Sequence, residues 1–141
     1  MTDTKPLAED VSVCSFVSPQ DLPALAGTFR TIVNARPDGE EPGQPGSAEV
    51  EAAARRLGLD YVHIPVVPGQ ITDQQVAAFA KALNDNPGPV LAYCKSGMRA
   101  ASLWALSRAG EHGADRVLAA AAKAGFDLAS LRPRLGREAA R

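Results

Sequence analysis

Between Phe29 and Gly110 the chain alternates short apolar runs with segments whose apolar residues recur at helical spacing, the pattern of successive strand–helix units. Phe29-Arg30-Thr31-Ile32-Val33-Asn34, Tyr61-Val62-His63-Ile64-Pro65-Val66 and Val90-Leu91-Ala92-Tyr93 read as strands. An earlier alternating run, Val11 to Val17, predicts a first strand at a sheet edge, and residues 1–10 before it read as a flexible leader. Ser18-Pro19-Gln20-Asp21 supplies a cap, a proline and an acid for a short helix through Ala26, weakened by Pro23 and ended by Gly27. Ser47 is placed as the cap of a helix with Val50, Ala53, Ala54 and Leu57 on its apolar face. Thr72-Asp73-Gln74-Gln75 forms a capping box before a helix facing inward through Val76, Phe79, Ala80 and Leu83, broken at Asn84 to Pro89. A further helix is predicted from Arg99, with a turn between Gly110 and Gly113. An Ala-rich helix follows over Ala114 to Ala124, then a short one over Phe126 to Leu131 and a basic tail at 136–141. The predicted fold is a single α/β domain over residues 11–135, a mostly parallel central sheet with helices on both faces.

Composition narrows the function classes. The 141 residues are 45% apolar and 22% charged with a formal net charge of −1, ordinary for a globular domain and without a basic surplus for nucleic acid. No apolar stretch approaches membrane-spanning length and the first ten residues do not resemble a signal peptide, so a cytoplasmic protein is expected, with neither membrane nor nucleic acid among its partners. The two cysteines, Cys14 and Cys94, match no metal-ligand spacing; no metal or cofactor is expected, and Cys14, in an apolar run, is assigned to the core.

The chemistry concentrates after the last strand, in Cys94-Lys95-Ser96-Gly97-Met98-Arg99. A loop that opens a helix presents unpaired N–H groups at the positive end of the helix dipole, which favours a bound anion and a thiolate alike. Cys94 is therefore the candidate nucleophile, with its pKa expected to fall. Arg99 is the catalytic cation, and Lys95, Ser96, Gly97 and Met98 form the anion-binding backbone. The Pro- and Gly-rich segment from Ala35 to Gly46 leaves a strand end on the same side of the sheet, so Arg36, Asp38, Glu40 and Glu41 are candidates to line the site. Asp73 is a further candidate, whereas His63 reads as a wall residue within its strand and His112 as an exposed turn residue.

Asn34-Ala35-Arg36-Pro37-Asp38-Gly39-Glu40, Ile64-Pro65-Val66 with Gly69-Gln70-Ile71-Thr72, Pro89 to Arg99, and Leu103-Trp104-Ala105-Leu106 together resemble the phosphatase-like domain family of bacterial beta-lactamase hydrolase-like proteins, also labelled sulfur transferase. The resemblance covers about Val11 to Leu135 and implies the fold of the dual-specificity cysteine phosphatases. It also implies two departures. In those phosphatases five residues separate the cysteine from the arginine and a hydroxyl residue follows it; here four separate Cys94 from Arg99, and Ala100 follows. Their general-acid Asp after the strand resembling Ile64-Pro65-Val66 is replaced by Val67, Pro68 and Gly69, and general acid catalysis contributes roughly 100- to 10,000-fold. Asp38, Glu40 and Asp73 are the candidate substitutes.

These departures place sulfane-sulfur transfer through a Cys94 persulfide first, because its leaving group needs no strong acid. A phosphatase-type hydrolase working through a phosphocysteine is the alternative, and a non-catalytic redox or anion sensor the second. The expected partners are a small anionic or persulfide substrate and a thiol acceptor, with a persulfide dioxygenase or metallo-hydrolase as a possible companion protein.

Overall fold

A computed structural model describes residues 3–140. Five strands, β1 (Lys5–Ala8), β2 (Val11–Cys14), β3 (Thr31–Asn34), β4 (Asp60–His63) and β5 (Val90–Tyr93), form one sheet in the order β1-β2-β5-β3-β4. All neighbours are parallel except β1, which runs antiparallel to β2 with Lys5 opposite Val13. The expected parallel α/β sheet is present. The leader expected over residues 1–10 is corrected over Lys5 to Ala8, which form the edge strand and move β2 one place inward. Leu7 is the physical reason: it is buried with Val11 and Val13 in the core.

Alternation along β5 divides the core between the two faces. Val90, Ala92 and Cys94 belong to one apolar cluster with α3 (Asp73–Asp85), α4 (Met98–His112), α5 (Ala114–Lys123) and α6 (Arg132–Ala139). Leu91 and Tyr93 belong to the other, with α1 (Leu22–Leu25) and α2 (Ser47–Arg56). α4 is buried almost all round, through Ala100, Ala101, Leu103, Trp104, Ala105 and Leu106, because α3, α5 and α6 pack about it.

Several boundaries shift from the sequence reading. Pro19–Asp21 is a 3-10 turn before α1, closed by the Ser18 N–H donating to Asp21 Oδ2. Ser47 is the first residue of α2 and not its cap: its N–H donates to Asp38 Oδ1 at 2.8 Å, and its hydroxyl is turned inward to Tyr61 Oη. Leu57, expected on the apolar face, lies past the end of α2 and is exposed. α4 continues through Gly110 to His112, and the basic tail, expected to begin at residue 136, is helical to Ala139, anchored by the buried Leu135. Among the described residues no helix is long and apolar enough to cross a membrane.

Candidate active site

The site gathers where the parallel strands end. Past the regular strands the ladder continues, with Ala35 N–H donating to Tyr93 O, Ile64 N–H to Asn34 O, and Val66 N–H to Ala35 O. These bonds bring the chain after β3 and the chain after β4 alongside the loop that joins β5 to α4. Behind them lies a buried polar cluster: Asn34 Nδ2 donates to Tyr61 Oη at 2.9 Å, Ser47 Oγ is 2.8 Å from the same oxygen, and the Arg36 N–H donates to Asn34 Oδ1. Burial, followed by the neighbouring Tyr61, pushes the Tyr93 hydroxyl far above its ordinary pKa, so it stays neutral in this cluster.

Gly97 makes the turn from loop to helix. Its φ is +94°, and a Cβ there would meet Phe126 Cζ at 3.0 Å and the Cys14 carbonyl oxygen at 3.3 Å, so only glycine fits. Its N–H donates to Cys94 Sγ at 3.1 Å. The sequence-based picture of an open cradle is corrected in two respects. Cys94 is wholly buried and packs in the same cluster as Ala92 and Leu103. The Met98 N–H, expected to point at an anion, donates instead to Ser96 Oγ at 3.3 Å. Lys95, Ser96 and Met98 are exposed around the loop and Gly97 is buried in it.

Arg99 occupies the first turn of α4, and its guanidinium is held from two sides. Nη1 donates to Glu40 Oε2 at 2.7 Å and to the Val66 carbonyl at 2.7 Å, while Nη2 donates to Glu40 Oε1 at 3.0 Å. Arg36 Nε donates to the same Glu40 Oε1 at 2.7 Å, its Nη2 lies 2.8 Å from Glu41 Oε1, and Lys95 Nζ lies 3.5 Å from Glu41 Oε2. Three cations thus surround two carboxylates. The Arg99 hydrogen bond is the main influence holding the Glu40 carboxyl below its usual range, opposed by burial and helped by Arg36. Glu41 is likewise held low, chiefly by its hydrogen bond with Arg36. Both are therefore carboxylates at neutral pH.

Of the residues expected to line the site, Arg36 and Glu40 reach Arg99 directly or through one partner, and Glu41 joins them. Asp38 instead caps α2 through Ser47, and Asp73 Oδ1 accepts from Arg134 Nη2 at 3.1 Å, so neither is placed as a proton donor at Cys94. His63 is half-buried with Nε2 2.9 Å from the Arg36 carbonyl, a wall position. Cys14 lies buried on the other face, and burial, then the nearby Cys94 and Asp21, push its thiol up to about 12. Both cysteines are free thiols. Among the described residues no group of His, Cys, Asp and Glu could hold a metal ion. Two contributors carried no local signal in the sequence: the Val66 carbonyl, and Phe126, which seats against Gly97 from far along the chain.

Comparison with known proteins places this geometry. A family model described as the phosphatase-like domain of beta-lactamase hydrolase-like protein matches residues 3–111. A beta-lactamase hydrolase-like protein of Xylella fastidiosa strain Temecula1 is 48% identical over 102 residues, covering 71% of this chain and 24% of that protein. One from Agrobacterium fabrum is 47% identical over 90 residues, covering 63% and 21%. The chain therefore spans about a quarter of the length of these relatives. A crystal structure from Neisseria meningitidis, named as a candidate phosphatase, superposes with a TM-score of 0.83 at 31% identity, covering 95% of this chain and 96% of that one. The Tk-PTP structure in its active form gives a TM-score of 0.73 at 16% identity over 96% and 95%, a likeness of fold. The chain belongs to the family of the phosphatase-like domain of beta-lactamase hydrolase-like proteins, built on the fold of the cysteine phosphatases.

Proposed function

We propose that the protein is a cysteine-dependent hydrolase of phosphatase type, acting on phosphate monoesters with good leaving groups. The observation that carries this reading is the Arg99 guanidinium at the start of α4, a planar pair of donors held in bidentate geometry on a carboxylate a few residues from a cysteine. A phosphoryl group offers the same paired oxygens as the Glu40 carboxylate now on Arg99. The phosphatase names of the solved neighbours support the same order of preference, which places hydrolysis ahead of sulfur transfer, the reverse of the ranking drawn from the sequence alone.

In the proposed reaction the Cys94 thiolate attacks phosphorus, and the bond to the leaving oxygen breaks. That oxygen departs with the electron pair and takes its proton from water. Water then attacks the phosphocysteine, the S–P bond breaks, and orthophosphate leaves with the thiolate restored. Arg99 stabilises the charge on the equatorial oxygens. None of the three acids the sequence offered is placed to protonate the leaving group, since Asp38 caps a helix, Glu40 is held ionised and Asp73 is paired with Arg134. The rate should therefore fall steeply across a series of aryl phosphates as the leaving phenol becomes more basic, and Asp38→Asn should not change that slope. A flat dependence would reveal a proton donor and contradict this reading.

The same lack of an acid favours a second reading, transfer of sulfane sulfur from thiosulfate or glutathione persulfide to Cys94 and on to a thiol. Its signature is a mass gain of one sulfur on Cys94 after exposure to the donor. A companion metallo-hydrolase or persulfide dioxygenase, and a cytoplasmic location, belong to this proposal.

A further inference from the structure

We propose that the cleft between the anion loop and the C-terminal segment is a subsite for the organic group of the substrate, and that it selects phosphate esters whose organic part carries an ammonium or hydroxyl group beside an apolar face. This rests on the phosphatase-type reading. A cavity of about 300 Å³ opens beside Arg99, within the lower range of small-molecule pockets. Met98 and Arg99 of α4 form one wall, Ile71 of the loop after β4 a second, and Leu131 with Asp127 and Ser130 a third. One wall is thus shared with the residue proposed to hold the phosphoryl group, so a molecule anchored on Arg99 projects its remainder toward the others.

The chemistry of the walls indicates what that remainder is. Ile71, Met98 and Leu131 offer an apolar surface of side-chain size. Of the two arginines of the cleft, Arg99 is the group proposed to exchange Glu40 for the phosphoryl oxygens, and Arg134 is already engaged on Ile71 O at 2.7 Å and Asp73 Oδ1 at 3.1 Å. Asp127 is different, because its carboxylate has several acceptor positions and uses one oxygen to accept from the Ala129 N–H at 3.0 Å. It is exposed, so its free acceptor positions can receive a cation or hydroxyl entering the cleft.

The test compares binding of benzylphosphonate and its para-aminomethyl derivative, which cannot be hydrolysed, by calorimetry on the intact protein. The wild type should bind the aminomethyl compound about fivefold more tightly, as one partly exposed ion pair provides. Asp127→Asn should erase that preference and leave benzylphosphonate and inorganic phosphate unchanged. Leu131→Arg, which fills the cleft, should weaken both phosphonates several-fold and leave inorganic phosphate unchanged. Phosphate binding with no preference between the two phosphonates, or a preference that survives Asp127→Asn, overturns the subsite while leaving the reaction untouched. Absence of phosphate binding, together with no Cys94-dependent hydrolysis of para-nitrophenyl phosphate, removes the reading on which the subsite rests.

Discussion

Glu40 is the residue through which the charges of the site are coupled, since it accepts from both Arg99 and Arg36 and is largely screened from water. Glu40→Gln leaves two guanidinium groups with a weaker partner and should destabilise the protein by about 1.5–3 kcal/mol, the usual range for hydrogen bonds to charged groups. The pH dependence follows from the direction of the Glu40 shift. Its folded pKa lies below the ordinary 4.5, so its contribution is complete above about pH 4.5 and is lost as the pH falls through the folded value. Denaturant midpoints measured through that acid range should converge for wild type and Glu40→Gln; a constant gap would show that Glu40 does not act through its charge. Gly97→Ala should cost about 1–3 kcal/mol from its left-handed backbone alone, with the Phe126 and Cys14 contacts adding to it. An unchanged midpoint would contradict the described loop. Cys94 and Arg99 could be named from their spacing because loop and helix start are local features. The partnership of Arg99 with Glu40 spans 59 residues and has no local trace, which is why Glu40 was legible only as a nearby acid.

At the scale of elements, the strands and helices whose apolar period is strong were readable. β5 matches its predicted span residue for residue, and α3 begins at its capping box, with Gln75 N–H donating to Thr72 Oγ1. β1 was not readable, because Lys5-Pro6-Leu7-Ala8 is short, half exposed and carries a proline, and becomes a strand only by pairing with β2. α6 was hidden for a similar reason: of its residues only Leu135 is buried, and the rest reads as a charged tail. The polar cluster of Asn34, Ser47 and Tyr61 ties β3, β4 and α2 together behind the site. Tyr61→Phe removes both hydroxyl contacts and should lower stability by about 1–3 kcal/mol, because buried Asn34 and Ser47 lose a partner. It should also lower turnover by loosening the segment that carries Arg36 and Glu40. A variant with native stability and native turnover would show the cluster to be dispensable.

The described residues form one α/β domain whose candidate site lies at the carboxyl ends of its parallel strands, the usual place for a site in such sheets. That architecture was legible because strand–helix alternation leaves few topologies open. The burial of Cys94 was not, since it depends on how four helices pack against one face. Alkylation reads the burial of both cysteines. Iodoacetamide near neutral pH should label native Cys94 slowly and Cys14 more slowly still, because the latter is buried and its thiol is pushed up to about 12. Rapid labelling of Cys14 ahead of Cys94 would contradict the described packing.

The central claim is that Cys94 carries the phosphoryl group during turnover. Rapid acid quenching of the protein mixed with para-nitrophenyl phosphate, followed by mass analysis, tests it most directly. One phosphoryl group is expected on Cys94, none in Cys94→Ser, and a turnover rate in Arg99→Ala lowered by on the order of 100-fold or more. Release of nitrophenol that persists in Cys94→Ser, or that proceeds with Cys94 never modified, would contradict it.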